Sequence, residues 1–240
     1  MLREEVQEWL KQQAEADYQS FSAALIPGEE HLLGIRLPML RKKARELAKG
    51  DWKAYLAFSD IEFFEEAMLQ GMILGYARAP LEEILGEAEK FIPRIRNWSV
   101  NDSFCNSFKV AKKYPREVWE FLMKYRHSRE EYQVRMVAVM LLNHYLTEEY
   151  IDRVLEVLGA LDVGEYYASM AVAWAFASAW GKFPDRTREY LAGHGIDPGT
   201  YRKTLQKCLE SYRVSQEDKA WARRERERLK KTNIVLPGAL

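Results

Sequence analysis

A chain of 240 residues can bury a sizeable core and exceeds a typical single globular domain, so either two domains or one elongated repeat array is expected. Hydrophobic residues at 48% and charged residues at 30% exclude a disordered chain, and 36 basic against 36 acidic residues leave a formal charge of zero. The field of the whole molecule therefore gives no evidence for a polyanionic partner, which would need the basic residues sorted onto one face.

Strand alternation and Asn-Gly or Asp-Gly turns are absent, while helical periodicity runs throughout. Helices are predicted at 2–16 and 17–25, the second ending at Ile26-Pro27-Gly28, and after a loop at 38–49, with Pro38 in the first turn and Gly50 at the end. Asp51 caps the next helix. Further helices are predicted at 61–77, 81–91, 97–113, 115–125, 131–146, 148–158, 166–182, 184–192, 200–212 and 216–231. Short punctuation such as Ala79-Pro80 and Phe183-Pro184 makes consecutive helices antiparallel neighbours. The more apolar helices recur about every 35 residues, the period of two-helix solenoid repeats. The expected fold is all-α: a single right-handed α-solenoid of stacked antiparallel helix pairs with a concave face, one domain over 1–232, and a tail at 233–240.

Two cysteines without paired spacing and four scattered histidines argue against a disulfide framework and a metal site, and no cofactor is implied. The charged start fits no signal peptide, and no apolar run approaches the roughly 20 residues of a membrane span. A cytoplasmic protein that does not engage membranes is expected.

Four constellations carry chemistry. Trp98 and Asp102 sit one helical turn apart on the same face, a carboxylate beside an indole. The bland alternative has Asn97 or Ser99 capping a helix, Asp102 on a solvated face and Trp98 in the core. Arg135 stands in a strongly apolar helix and needs a partner, either an internal carboxylate (Asp102 is a candidate) or a phosphate. Trp174 and Trp180 lie among alanines and serines; either both are core, or an indole projects into a groove. Basic residues gather near Arg36, Arg41, Lys42, Lys43 and Arg45, at Arg94 and Arg96, at Lys109, Lys112 and Lys113, and at Arg202, Lys203 and Lys207. Cations at helix ends also serve the helix dipole, yet several of these would fall at one edge of a stacked layer, where a duplex backbone can run. Arg36, Arg41, Lys42, Lys109, Lys112, Arg202 and Lys203 are the candidate contacts. The sign-alternating run at 223–228 reads as a solvated face.

At these residues the chain resembles the bacterial AlkD-type DNA glycosylases, the HEAT-like-repeat DNA alkylation repair enzymes. Leu33-Gly34-Ile35-Arg36-Leu37-Pro38-Met39-Leu40-Arg41 is similar to that family's G-[VI]-R-x-P-x-[LM]-R segment, and Asn97-Trp98 followed by Asp102-Ser103-Phe104 to its catalytic helix. The Arg135 helix and Ala173-Trp174-Ala175 match its later arginine and tryptophan in order and approximate spacing. The resemblance implies excision of positively charged N3- and N7-alkylated purines from duplex DNA by hydrolysis of the N-glycosidic bond, without base flipping. It implies that Asp102 stabilises the developing oxocarbenium sugar and positions water, that Trp98 and Trp174 pack against the deoxyribose, and that Arg135 holds the backbone. It implies a monomer associated with the nucleoid. Asn101 departs from the cysteine of the best-known members, and the Arg135 helix lacks additional basic residues. Two other functions are expected to compete: a non-catalytic HEAT-like scaffold binding DNA structure, and a protein-binding solenoid anchored by Trp98 and Trp174.

Overall fold

Helices and the loops between them make up the described residues of the computed structural model, which are 3–193 and 195–231; no strand occurs among them. The tail expected at 233–240 lies outside the described residues. The contacts divide the chain into two units, Met1–Phe121 and Leu122–Leu240.

The first unit holds α1 (Arg3–Gln12), α2 (Ala16–Leu25), α3 (Leu37–Leu47), α4 (Trp52–Leu56), α5 (Phe64–Tyr76), α6 (Leu81–Phe91), α7 (Trp98–Ser107) and α8 (Val110–Lys113). The division falls inside α9 (Pro115–Met123). The second unit continues with α10 (Glu131–His144), α11 (Ile151–Ala160), α12 (Tyr166–Lys182), α13 (Pro184–Gly193), α14 (Pro198–Glu210) and α15 (Gln216–Lys231). Within each unit alternate helices pack side by side. In the first, α5 lies against both α3 and α7; in the second, α12 lies against α10 and α14, and α15 against α14. Helices α4 and α6 flank α5, and α11 and α13 flank α12. This is the packing expected of stacked helix pairs.

The central helices are apolar nearly all round because they have neighbours on both sides. In α5, Met68, Leu69, Met72, Ile73 and Leu74 are buried; in α12, buried alanines at 168, 171, 173, 175, 177 and 179 let adjacent helices come close. Gly75 serves the same end, since a Cβ there would lie 2.2 Å from the Ser107 carbonyl oxygen. Hydrogen bonds tie each pair to the next at the repeat period. Tyr167 N–H donates to Glu131, Arg135 to the Tyr167 carbonyl, Lys182 to the Leu146 carbonyl and Lys203 to Ser169 Oγ, across 36, 32, 36 and 34 residues. The beat of about 35 residues is thus a physical spacing.

Buried carboxylates organise the first unit. Glu65, 1% exposed, accepts from the backbone N–H groups of Leu33 and Gly34 at 3.1 and 2.9 Å and from Ile35 at 3.4 Å. Burial pushes its carboxyl up, and these donors pull it back down. Glu66 accepts from Phe63 and Glu62 N–H and from Arg3 and Gln7, which fixes the start of α5 and docks α1 on it. The helix predicted from 61 therefore begins at Phe64. The helix predicted over 97–113 breaks at Phe108, whose fully buried ring turns the chain between α7 and α8. Other ends shift by a few residues: α1 stops at Gln12 rather than 16, and α14 begins at Pro198, with Asp197 capping Thr200. Asp51 caps α4 as expected, accepting from Ala54 N–H at 3.2 Å. No helix among the described residues is long and apolar enough to cross a membrane.

Gly34 has φ 83°, and a Cβ there would sit 2.4 Å from Gln19 N; Gly28, at φ 85°, faces open space. Gly28→Ala should cost about 1–2 kcal/mol of unfolding free energy from left-handed strain. Gly34→Ala should cost clearly more, because the Gln19 backbone must also move. Urea unfolding of both variants checks this, and equal losses would refute the role of the close approach.

Candidate nucleic-acid interface

Helix α7 is built to aim one strip outward. Val100, Phe104 and Cys105 fill the core, while Trp98, Asp102 and Asn106, four residues apart, are all half-buried. Asn97 starts the helix: its Oδ1 accepts from Val100 N–H at 3.0 Å, and its Nδ2 donates to Glu29 at 2.9 Å. Trp98 Nε1 donates to the Leu25 carbonyl at 3.2 Å, so the indole is held at its polar edge with part of the ring open. The loop that Glu65 pins thus follows directly on the segment carrying Leu25 and Glu29. Asp102 is neither sealed in the core nor on a fully solvated face.

Asn101, beside it, is fully buried. Its Nδ2 donates to Asp102 Oδ1 at 3.1 Å and lies 3.9 Å from Cys105 Sγ. Among the described residues its Oδ1 has no partner. Such an orphan costs about 1–3 kcal/mol, and a hydrogen bond to a carboxylate returns about 1.5–3 kcal/mol. Turning the amide over would set oxygen against carboxylate oxygen, which fixes the orientation. Sequence reasoning marked Asn101 only as a departure, because its partner atoms follow from burial and not from spacing.

The same unit sorts its cations. Burial and then repulsion from Lys112 and Arg41 hold the Lys109 ammonium below its ordinary value, so these three share one patch. Among the described residues none of Arg41, Lys42, Lys109 and Lys112 has a carboxylate partner within ion-pair distance. Two grooves adjoin: one of about 480 Å³ lined by Arg45, Lys49 and Arg78, the other of about 670 Å³ lined by Arg78, Lys109 and Lys113. No acidic side chain lines either. Arg45 and Lys49 end or follow α3, Arg78 follows α5, Lys109 lies between α7 and α8, and Lys113 ends α8, so successive helices of the unit deliver positive charge to these grooves. Arg78, missed in the sequence, carries the signal of a cation just past a helix end. Arg36 differs, since it is paired with Glu15 at 2.9 Å and lies over the Tyr18 ring. Lys43 is buried on Glu46 and Trp9, and Arg94 is held by the Leu56 and Phe58 carbonyls.

Arg135 and Trp174 belong to the second unit. Arg135, 7% exposed, donates to the Tyr167 carbonyl at 2.9 Å and lies 6.0 Å from the Tyr167 ring centre. Glu131 accepts from Tyr167 N–H at 2.6 Å, so both backbone polar groups of Tyr167 are held by α10. A backbone carbonyl was not among the partners expected for Arg135. The two tryptophans of α12 divide: Trp180 is fully buried against Trp221, whereas Trp174 is 41% exposed between two fully buried alanines. Trp174 opens on a cavity of about 580 Å³ that Asn143, Ser178, Lys207, Tyr212 and Arg213 also line. Lys207 is paired with Glu210 at 3.0 Å. Lys203 is bonded to Ser169 and lies over Tyr166; Arg202 is exposed, beside Arg226 and Lys230. The run at 223–228 is largely solvated, with Arg228 on Glu225 of its own helix. Among the described residues no group of three His, Cys, Asp or Glu side chains could hold a metal ion.

Lys112→Ala should raise the Lys109 pKa, because it removes a like charge that favours the neutral amine. Side-chain nitrogen NMR titration reads this directly, and an unmoved Lys109 would break up the patch.

Over residues 6–225 the chain matches the family described as DNA alkylation repair enzyme. A comparison with curated proteins found no match.

Proposed function

Because the chain belongs to the DNA alkylation repair enzyme family, and so acts in the repair of alkylation damage on DNA, we propose that it is a DNA glycosylase that releases positively charged N3- and N7-alkylated purines. The observation that carries this reading is Asp102, a half-buried carboxylate one turn from a half-buried indole, on a helix followed by an unpaired basic patch.

The chemistry asks little of the protein beyond placed charge. Alkylation at N3 or N7 leaves the purine cationic, so the C1′–N bond can break with its electron pair going to the base, which departs neutral. No acid is needed to protonate the leaving group, unlike ordinary glycoside hydrolysis. Positive charge moves onto the sugar as an oxocarbenium ion, and a carboxylate in a partly dry site stabilises it as it forms. Water then adds at C1′ and loses a proton. Asp102 is assigned the electrostatic role and the placing of water. Trp98 and Trp174 are assigned the faces of the deoxyribose, which the partial exposure of both indoles supports. Arg135 is assigned the DNA backbone near the lesion. These groups address the sugar, not the base edge, so the base need not leave the stack. Arg41, Lys42, Lys109 and Lys112 supply phosphate contacts, with Arg202 a further one; Arg36 and Lys203, each held by a protein partner, contribute less.

Asp102→Asn should lower single-turnover release of 7-methylguanine from methylated duplex DNA by about 100-fold or more. DNA affinity should be unchanged or improved, since a negative charge near phosphate is gone. A wild-type protein that releases no alkylated base would overturn the enzyme reading and favour a DNA-holding scaffold, which the unpaired basic patch also supports.

Lys109→Ala combined with Lys112→Ala should weaken binding to all duplexes alike and reduce the slope of log affinity against log salt by about two. Fluorescence anisotropy across a salt series measures it; an unchanged slope would move the DNA path off this edge.

A further inference from the structure

Asn101 is the residue that the glycosylase reading leaves without a role. It is fully buried, it directs Nδ2 at Asp102 Oδ1 at 3.1 Å, and its Oδ1 has no partner among the described residues. A buried amide that leaves its own acceptor unmet in order to donate to a carboxylate is oriented for that carboxylate. Folding alone offers no such reason: an apolar residue of the same volume would fill the site between Phe104 and Cys105 without the orphan oxygen. The donor is also neutral, so it holds one Asp102 oxygen without itself adding positive charge beside a centre where positive charge must develop.

We propose that Asn101 is a positioning residue, holding Asp102 Oδ1 so that the carboxylate meets the developing oxocarbenium in one orientation. The inference rests on the assignment of Asp102 above. It predicts a change in the rate of bond breakage, not in DNA binding, because the fully buried amide offers no surface to a ligand.

Two variants with the same number of side-chain heavy atoms, branched at Cγ, separate the terms. Asn101→Leu removes the donor, and Asn101→Asp replaces it with an acceptor that repels Asp102. Single-turnover release of 7-methylguanine should fall about tenfold in Asn101→Leu and further in Asn101→Asp, the loss of one charge-assisted hydrogen bond. The dissociation constant for methylated duplex should stay within about twofold of wild type. A measurement in the wild-type fold guards against variants that do not fold: the Asn101 side-chain amide resonances should shift and exchange faster with water in Asp102→Ala. Wild-type release rates in both Asn101 variants, or amide resonances indifferent to Asp102→Ala, would overturn the proposal. If Asp102→Asn loses release while both Asn101 variants keep it, this inference fails and the glycosylase reading stands. If Asp102→Asn releases base at the wild-type rate, both fail.

Discussion

Glu65 is the carboxylate on which the first unit closes. An ion 1% exposed is costly unless its lone pairs are met, and three consecutive backbone N–H groups at 33–35 meet them. The loop can present those N–H groups together only because Gly34 takes a left-handed backbone against Gln19. What lies upstream is then constrained. Leu25 and Glu29, a few residues earlier, receive the Trp98 indole and the Asn97 cap. The orientation of the indole on α7 therefore depends on a buried anion on α5, and the glycine and the tryptophan belong to one mechanical unit.

Zero net charge does not weaken the case for a polyanionic partner, because the charges are sorted. Carboxylates are used internally: Glu66 on Arg3, Glu15 on Arg36, Glu46 on Lys43, Glu225 on Arg228. Arg41, Lys42, Lys109 and Lys112, none of which has a carboxylate partner among the described residues, share the first unit, and Lys112 and Arg41 both repel the Lys109 ammonium. A field is made by local excess, and internal pairing is what produces it. Burial first, and then repulsion from Lys112 and Arg41, depresses the Lys109 ammonium, and an anion from outside would relieve that repulsion.

Much of this was legible before any coordinates. The helical class, the spacing of about 35 residues, the Asn97 and Asp51 caps, and the common face of Trp98 and Asp102 all follow from local rules of period and capping. What escaped depends on contacts far apart in the chain. Nothing in the spacing singles out Glu65, and only the fold shows it buried with backbone donors some 31 residues away. Phe108 looks like one more apolar position in a long helix until its burial requires a break. Periodicity does not separate Trp174 from Trp180, because small residues flank both: Ala173 and Ala175 the first, Ala179 and Gly181 the second. Arg135 also donates to the Tyr167 carbonyl in the next repeat, a contact whose position no spacing rule encodes.

The two indoles of α12 have opposite surroundings on one helix. Trp180 is fully buried, packed at 5.1 Å on Trp221, and its removal would open a large cavity between α12 and α15. Trp174, two turns earlier, leaves 41% of its surface to solvent, while Ala173 and Ala175 on either side make the close helix contacts. Those alanines already satisfy the packing, so the indole face adds little to the fold and keeps apolar area in water at a cost. An exposed aromatic face beside polar and charged neighbours, the paired Lys207 and Glu210 among them, is sensible where a sugar is to lie against it. The half-open Trp98 ring and the half-buried Asp102 follow the same logic in the first unit: each side chain is fixed at one edge by the fold and left open at the other. Rigidity at the fixed edge keeps such groups from reorganising when charge develops, and preorganised electrostatics needs that.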